Sequence, residues 1–195
     1  MKFSQMLVVF LFAVAFIPAC SFFSDKIKEN PYGIEAYSQE KVDSIIKNHP
    51  YTIIHAWRLS CGACQNTLIN HVYPYLANKP DSIGFISITS TNYKQVIRFM
   101  EMNNCEVPSF FFADTVTDKN KFAFYHYLFL SIFKDYEPTY HAEADLTIVC
   151  NNKKEILNKS IGAIVIDLST GDTIPGMHYD SFERCISHFE KIISK

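Results

Sequence analysis

Glycine is scarce, six among 195 residues, and none forms a GxGxxG or GxxxxGK[ST] string. The glycine loops that cradle phosphates on backbone N–H groups therefore have no counterpart, which disfavours nucleotide chemistry. An excess of positive charge is also lacking: 18 basic against 20 acidic residues give a formal charge of −2. With no Lys/Arg cluster to break that balance, a surface that tracks nucleic-acid phosphates has no electrostatic basis. Charged residues make up only 19% of the chain, whereas 48% are hydrophobic and 17 are Phe. So apolar a composition excludes a disordered chain and predicts one domain around a large core.

The first apolar run, Met6 to Ile17 behind Lys2, is shorter than the ~20 residues that span a bilayer and suits the h-region of a signal peptide. It ends in Ile17-Pro18-Ala19-Cys20, which resembles the lipobox of bacterial lipoproteins. That resemblance implies cleavage before Cys20 and lipidation of its thiol; a plain secretory signal is the alternative. The expected organisation is a signal peptide over 1–19, a tether over 20–36 and a domain over 37–195. The expected location is the cell envelope, lipid-anchored and facing the periplasm or exterior. Export exposes the other thiols to an oxidising compartment. Of six cysteines, five lie beyond Cys20, and an odd number fits a purely structural disulfide framework poorly.

Strand and helix signals alternate along the domain. Ser38 caps a short amphipathic helix that ends by Pro50, and Tyr51 to Trp57 reads as a buried strand. A helix follows from Cys64, with Pro74 expected to kink or end it. Ile83 to Thr89 is a second strand; Tyr93, Val96, Ile97 and Met100 mark an amphipathic helix; Val107 to Phe112 reads as a strand that Pro108 opens. Residues 121–134 are apolar around most of a helix and are expected to be buried. Leu146 to Cys150 and Ile161 to Leu168 are further strands, the latter joined to Thr173-Ile174 as a hairpin. Asp180 and Glu183 form a capping-box pattern ahead of a last amphipathic helix. The fold class is α/β, with helices about a mixed central sheet.

Chemistry concentrates at Cys61-Gly62-Ala63-Cys64, between the Tyr51–Trp57 strand and a helix. At a helix N-terminus the first Cys meets unpaired N–H groups and the positive end of the dipole, which favour thiolate over thiol. Cys61 is thus the expected nucleophile. Cys64, one turn further in, is the expected resolving thiol that attacks a mixed disulfide on Cys61. Cys105, Cys150 and Cys185 read as small buried apolar residues. One C-x-x-C without a second ligand pair makes zinc improbable, so neither metal nor cofactor is expected; the other His residues are scattered.

The order strand, Trp, C-x-x-C, helix, strand, helix, X-Pro, strand, and finally hairpin and helix resembles the thioredoxin superfamily, in particular its exported, membrane-tethered members. The resemblance implies a thioredoxin-like three-layer sandwich with an inserted segment around 113–160. Trp57 matches the family's first Trp before the Cys pair, while Ser60 departs from its second. His55 stands where thioredoxins hold a buried Asp, so it is either a proton-transfer base for Cys64 titrating near neutrality or a satisfied core histidine. The family's cis-Pro, whose preceding backbone binds substrate, has three candidates: Pro108, the Ile161-Gly162 position and Pro138. With Pro108 first, the expected substrate-binding residues are Trp57, Val107 and Pro108. The implied activity is thiol–disulfide exchange on exported protein thiols or disulfides, with a redox partner protein. The alternative is a non-catalytic lipoprotein that binds a partner, with Cys61–Cys64 as a brace.

Overall fold

The computed structural model describes residues 30, 32–111, 131–133, 146–161, 164–168, 170–176 and 180–194. In chain order these form β1 (Glu35–Ala36), α1 (Gln39–Asn48), β2 (Tyr51–Trp57), α2 (Gly62–Thr67), a π-helical turn (Leu68–Val72), α3 (Tyr73–Asn78), β3 (Ile83–Thr89) and α4 (Tyr93–Asn103). There follow β4 (Ser109–Phe111), β5 (Leu146–Asn151), β6 (Ile156–Ile161), β7 (Ile164–Asp167), β8 (Thr173–Pro175) and α5 (Ser181–Ile193).

The eight strands join one sheet in the order β1-β4-β3-β2-β5-β6-β7-β8. From β1 to β2 neighbouring strands run parallel, and from β2 to β8 they run antiparallel. β2 and β3, read correctly to the residue, are buried on both faces, which is why they carry unbroken apolar and β-branched runs instead of an alternation. One face packs Ile53, Trp57 and Val149 against Cys64, Leu68 and Val72, against Val96 and Met100 of α4, and against Phe182, Ile186 and Phe189 of α5. The opposite face packs Ile54, Ala56, Ile86, Ile88 and Ile148 against Val42 and Ile46 of α1 and against Ile132 and Phe133. Helices thus cover a mixed sheet on both sides, the layered α/β class expected.

Several local expectations change. Pro74 does not end the helical run, which continues from Gly62 to Asn78; the π turn before Pro74 lets Tyr73 N–H reach the Leu68 carbonyl. The wider turn absorbs the proline ring at the start of α3, where its missing N–H matters least. The capping box does not form either. Asp180 makes no side-chain cap bond; its Oδ1 accepts from Arg184 Nε at 2.7 Å, and Glu183 reaches His71 of the π turn at 3.0 Å.

Two boundaries also move. Residues 146–160, expected inside an insertion around 113–160, lie in core strands β5 and β6 and the turn between them, so only the stretch before Leu146 remains as a candidate insertion. The strand read as Ile161 to Leu168 divides between the end of β6 and β7. Glu35 and Ala36, read as the end of the tether, belong to the sheet as β1 beside β4, and Ile34 before them is buried. Of the 121–134 helix, Ser131 and Ile132 are helical and Ile132 is buried; residues 121–130, Lys134, Pro138, Gly162 and Cys20 lie outside the described residues.

Candidate redox site

β2 delivers the chain to the site. After Trp57 the backbone turns at Leu59-Ser60, and Cys61 N–H closes the turn onto the Arg58 carbonyl at 3.3 Å. Cys61 is the N-cap of α2, with extended backbone angles of φ −112° and ψ 107°, and its Sγ accepts from Cys64 N–H at 3.2 Å. The two cysteines are disulfide-linked with their Cα atoms 5.2 Å apart, within the ordinary range for such a bond. Their surroundings differ: Cys61 is half-buried and Cys64 fully buried. Among the described residues, nothing stands within 4 Å of where a Cβ on Gly62 would be.

The turn carrying Cys61 is fastened by two side chains that the sequence reading missed. Gln65 Nε2 donates to the Leu59 carbonyl at 2.6 Å, and Thr91 Oγ1, from the loop after β3, accepts from Leu59 N–H at 3.3 Å. Gln65 N–H also donates to the Cys61 carbonyl at 3.1 Å. Gln65 was detectable as a polar residue directly after Cys64; Thr91 had no local signal, because its proximity comes from the parallel pairing of β2 with β3.

Trp57 lies in the core. It is fully buried, its ring lies 5.8 Å from that of Phe99, and its Nε1–H donates to Ser87 Oγ at 2.9 Å. Val107 is likewise fully buried.

Pro108 does not meet the cis-Pro expectation. No described peptide bond is cis, and Pro108 leads into β4, which β3 separates from β2. It packs on Gly33, whose φ of +61° and lack of a side chain permit the approach: an added Cβ would stand 3.2 Å from the Pro108 Cβ. The strand antiparallel to β2 is β5, and Leu146 pairs with Ala56, so the chain enters beside the active end of β2 just before Leu146. The Ile161 position fails for the same reason, since it ends β6, one strand further out.

His55 shares the Ile53–Trp57 face of β2. It is fully buried, with Nδ1 3.2 Å from Thr147 Oγ1 and its ring edge-on to Phe182 at 5.6 Å. Burial disfavours the imidazolium and pulls its pKa down to about 3. A near-neutral titration is therefore not what this position provides; His55 is a neutral core histidine across physiological pH.

Cys105, Cys150 and Cys185 are buried, as expected, and are not bonded to one another. Burial pushes the Cys150 thiol up to about 12 and raises that of Cys105. Cys105 packs its sulfur 3.4 Å from Met100 Sδ.

The C-x-x-C thus lies at the junction of a central strand and a helix, on a sheet whose parallel half continues into an antiparallel half. No family model matches the chain, and no curated protein does. Among solved structures it is similar to StoA from Bacillus subtilis, with 22% identity over 59% of this chain and 75% of that chain and a TM-score of 0.40. It is also similar to the thioredoxin domain of thiol-disulfide oxidoreductase BVU-2223 from Bacteroides vulgatus, with 11% identity over 75% and 82% and a TM-score of 0.46. A DsbF homologue from Corynebacterium diphtheriae matches at 15% identity over 74% of each chain, with a TM-score of 0.41.

Proposed function

We propose that this protein exchanges thiols and disulfides with exported proteins through Cys61 and Cys64, from the cell envelope, where a lipid on Cys20 holds it. The observation that carries the redox reading is the asymmetry of the pair. Cys61 is half-buried at a helix N-cap with a backbone N–H on its sulfur, and Cys64 is fully buried one turn inward.

In the reducing direction the Cys61 thiolate attacks one sulfur of a partner disulfide. That S–S bond breaks, a mixed disulfide forms, and the departing partner thiolate takes a proton from water. Cys64 then loses its proton to water, attacks the Cys61 sulfur and expels the second partner thiolate. Two electrons have passed to the partner, Cys61–Cys64 is a disulfide again, and a dithiol protein resets it. Oxidation of a partner dithiol is the same sequence reversed. The buried imidazole of His55, held against Thr147 and Phe182 and neutral at these pH values, takes no proton in either direction.

Cys64→Ser removes the resolving step, so Cys61 should accumulate as a mixed disulfide with its natural partner in the native cell. A variant that captures nothing while Cys61 remains alkylatable would point instead to a non-catalytic binding lipoprotein braced by the pair. Cys20→Ser should release the protein from the membrane fraction, and unchanged fractionation would overturn the lipid anchor.

A further inference from the structure

We infer that Gln65 and Thr91 are positioning residues that hold Cys61 at the helix N-cap in the reduced protein and so set its thiolate stability; this rests on the exchange reading above. Between them the two side chains satisfy both backbone groups of Leu59, the residue two before Cys61. Gln65 Nε2 donates to its carbonyl at 2.6 Å and Thr91 Oγ1 accepts from its N–H at 3.3 Å. Gln65 also spans Cys61 itself: its own N–H bonds the Cys61 carbonyl at 3.1 Å while its side chain grips the turn on the other side. Thr91 is anchored in turn, being buried and donating its own N–H to Thr89 Oγ1 at 3.2 Å.

The two redox states need these bonds unequally. In the disulfide, the covalent bond to Cys64 already fixes the Cys61 sulfur over the first turn of α2. On reduction that constraint disappears, and the thiolate keeps the Cys64 N–H only if the turn from Arg58 to Cys61 stays in place. The remaining main-chain closure, Cys61 N–H to the Arg58 carbonyl at 3.3 Å, does not hold Leu59 itself. Losing the Gln65 or Thr91 bond therefore penalises the reduced thiolate more than the disulfide. The Cys61 pKa should rise, and the pair should become more reducing.

The test uses the full chain carrying Gln65→Met, which keeps length and removes the donor, and separately Thr91→Val and Thr91→Ser. A hydrogen bond of ordinary net strength corresponds to about a three- to tenfold change in an equilibrium constant. Gln65→Met and Thr91→Val should each raise the Cys61 pKa, read from the pH dependence of alkylation, by about half to one unit. Each should move the equilibrium with glutathione, measured at a pH above the Cys61 pKa where the thiolate is the main reduced form, toward the disulfide by about three- to tenfold, or about 15–30 mV more negative. Thr91→Ser, which keeps the acceptor, should restore both values.

Folded Gln65→Met and Thr91→Val proteins with unchanged pKa and potential would overturn the inference. So would a Thr91→Ser protein that shifts as far as Thr91→Val. If the parent pair itself fails to equilibrate with glutathione, it is the exchange reading that falls.

Discussion

Trp57 and Val107 are linked through the core by a hydrogen-bond chain that crosses three strands. Trp57 Nε1–H donates to Ser87 Oγ at 2.9 Å, Ser87 and Ser109 hydroxyls meet at 2.7 Å, and Ser109 Oγ donates to the Val107 carbonyl at 2.9 Å. The two ends fix the direction throughout: the indole can only donate and the carbonyl only accept, so Ser87 O–H must donate to Ser109. Residues expected to greet a substrate instead tie β2, β3 and the entry to β4 together beneath the site.

Breaking that chain at its middle should be costly. Ser87→Ala strands the buried indole N–H, and an unsatisfied buried donor costs about 1–3 kcal/mol. Urea denaturation followed by the fluorescence of Trp57, the single Trp of the chain, measures it directly. Ser87→Ala and Ser109→Ala should combine less than additively, because each disrupts the same chain. A Ser87→Ala protein within ~0.5 kcal/mol of the parent would contradict the bond from the indole to Ser87.

The contact between α1 and β3 depends on one missing side chain. A Cβ on Gly84 would stand 2.7 Å from Thr52 Oγ1 and 3.0 Å from the ring of His49, which is itself held by the Ile45 carbonyl at 2.8 Å. Gly84→Ala should destabilise by about 1–3 kcal/mol through overpacking. Thr52→Ala in the same chain should recover part of that loss by removing the nearest atom. Equal stability of Gly84→Ala and parent in the same urea titration would show that the helix end yields freely.

What was legible in the sequence follows from how local each signal is. β2 and β3 announced themselves because strands buried on both faces are rich in apolar and β-branched residues without a clean alternation, and the Cys pair did so because its chemistry lies within four residues. β6 was missed because its interior positions are polar: Asn158 and Ser160 are fully buried, and Asn158 is accommodated by donating to the Cys185 carbonyl at 2.8 Å. Such a partner, on α5 at the far end of the chain, leaves no trace in strand periodicity. Pro108 misled for a related reason. Its spacing after the Cys pair matched the expected role, yet which strand pairs antiparallel with β2 is decided by topology, and that strand proved to be β5. Gln65 and Thr91 were invisible as a pair until β3 was laid beside β2.

His55 gives the fold a defined acid sensitivity. Its folded pKa of about 3 lies below the ordinary histidine value of 6.5, so the unfolded chain binds the extra proton first as pH falls. Stability from keeping this ring neutral is complete above pH 6.5 and drains away between 6.5 and about 3. The slope within that window approaches about 1.4 kcal/mol per pH unit. The stability difference between the parent and His55→Gln should shrink as pH is lowered from 7 to 5. In the parent, the His55 ring resonances should stay flat over that range. A ring that titrates with a midpoint near 6.5 would refute the assignment.

The five cysteines beyond Cys20 should separate into three reactivity classes. Once the Cys61–Cys64 bond is reduced, Cys61 combines partial exposure with the helix N-cap, which depresses a thiol pKa below its usual ~8.5. Cys64 is buried and must wait for local opening. Each unit of pKa separating them makes about a tenfold difference in thiolate fraction at neutral pH, so iodoacetamide should mark Cys61 at least about tenfold faster than Cys64. Cys105, Cys150 and Cys185 are fully enclosed, and desolvation raises the Cys105 and Cys150 thiols further, Cys150 to about 12. They should take label only after denaturation, as peptide mapping of native and urea-treated protein will read. Faster labelling at Cys64 than at Cys61 would reverse the roles assigned to the pair, and native labelling at Cys150 would mean that the core around β5 opens.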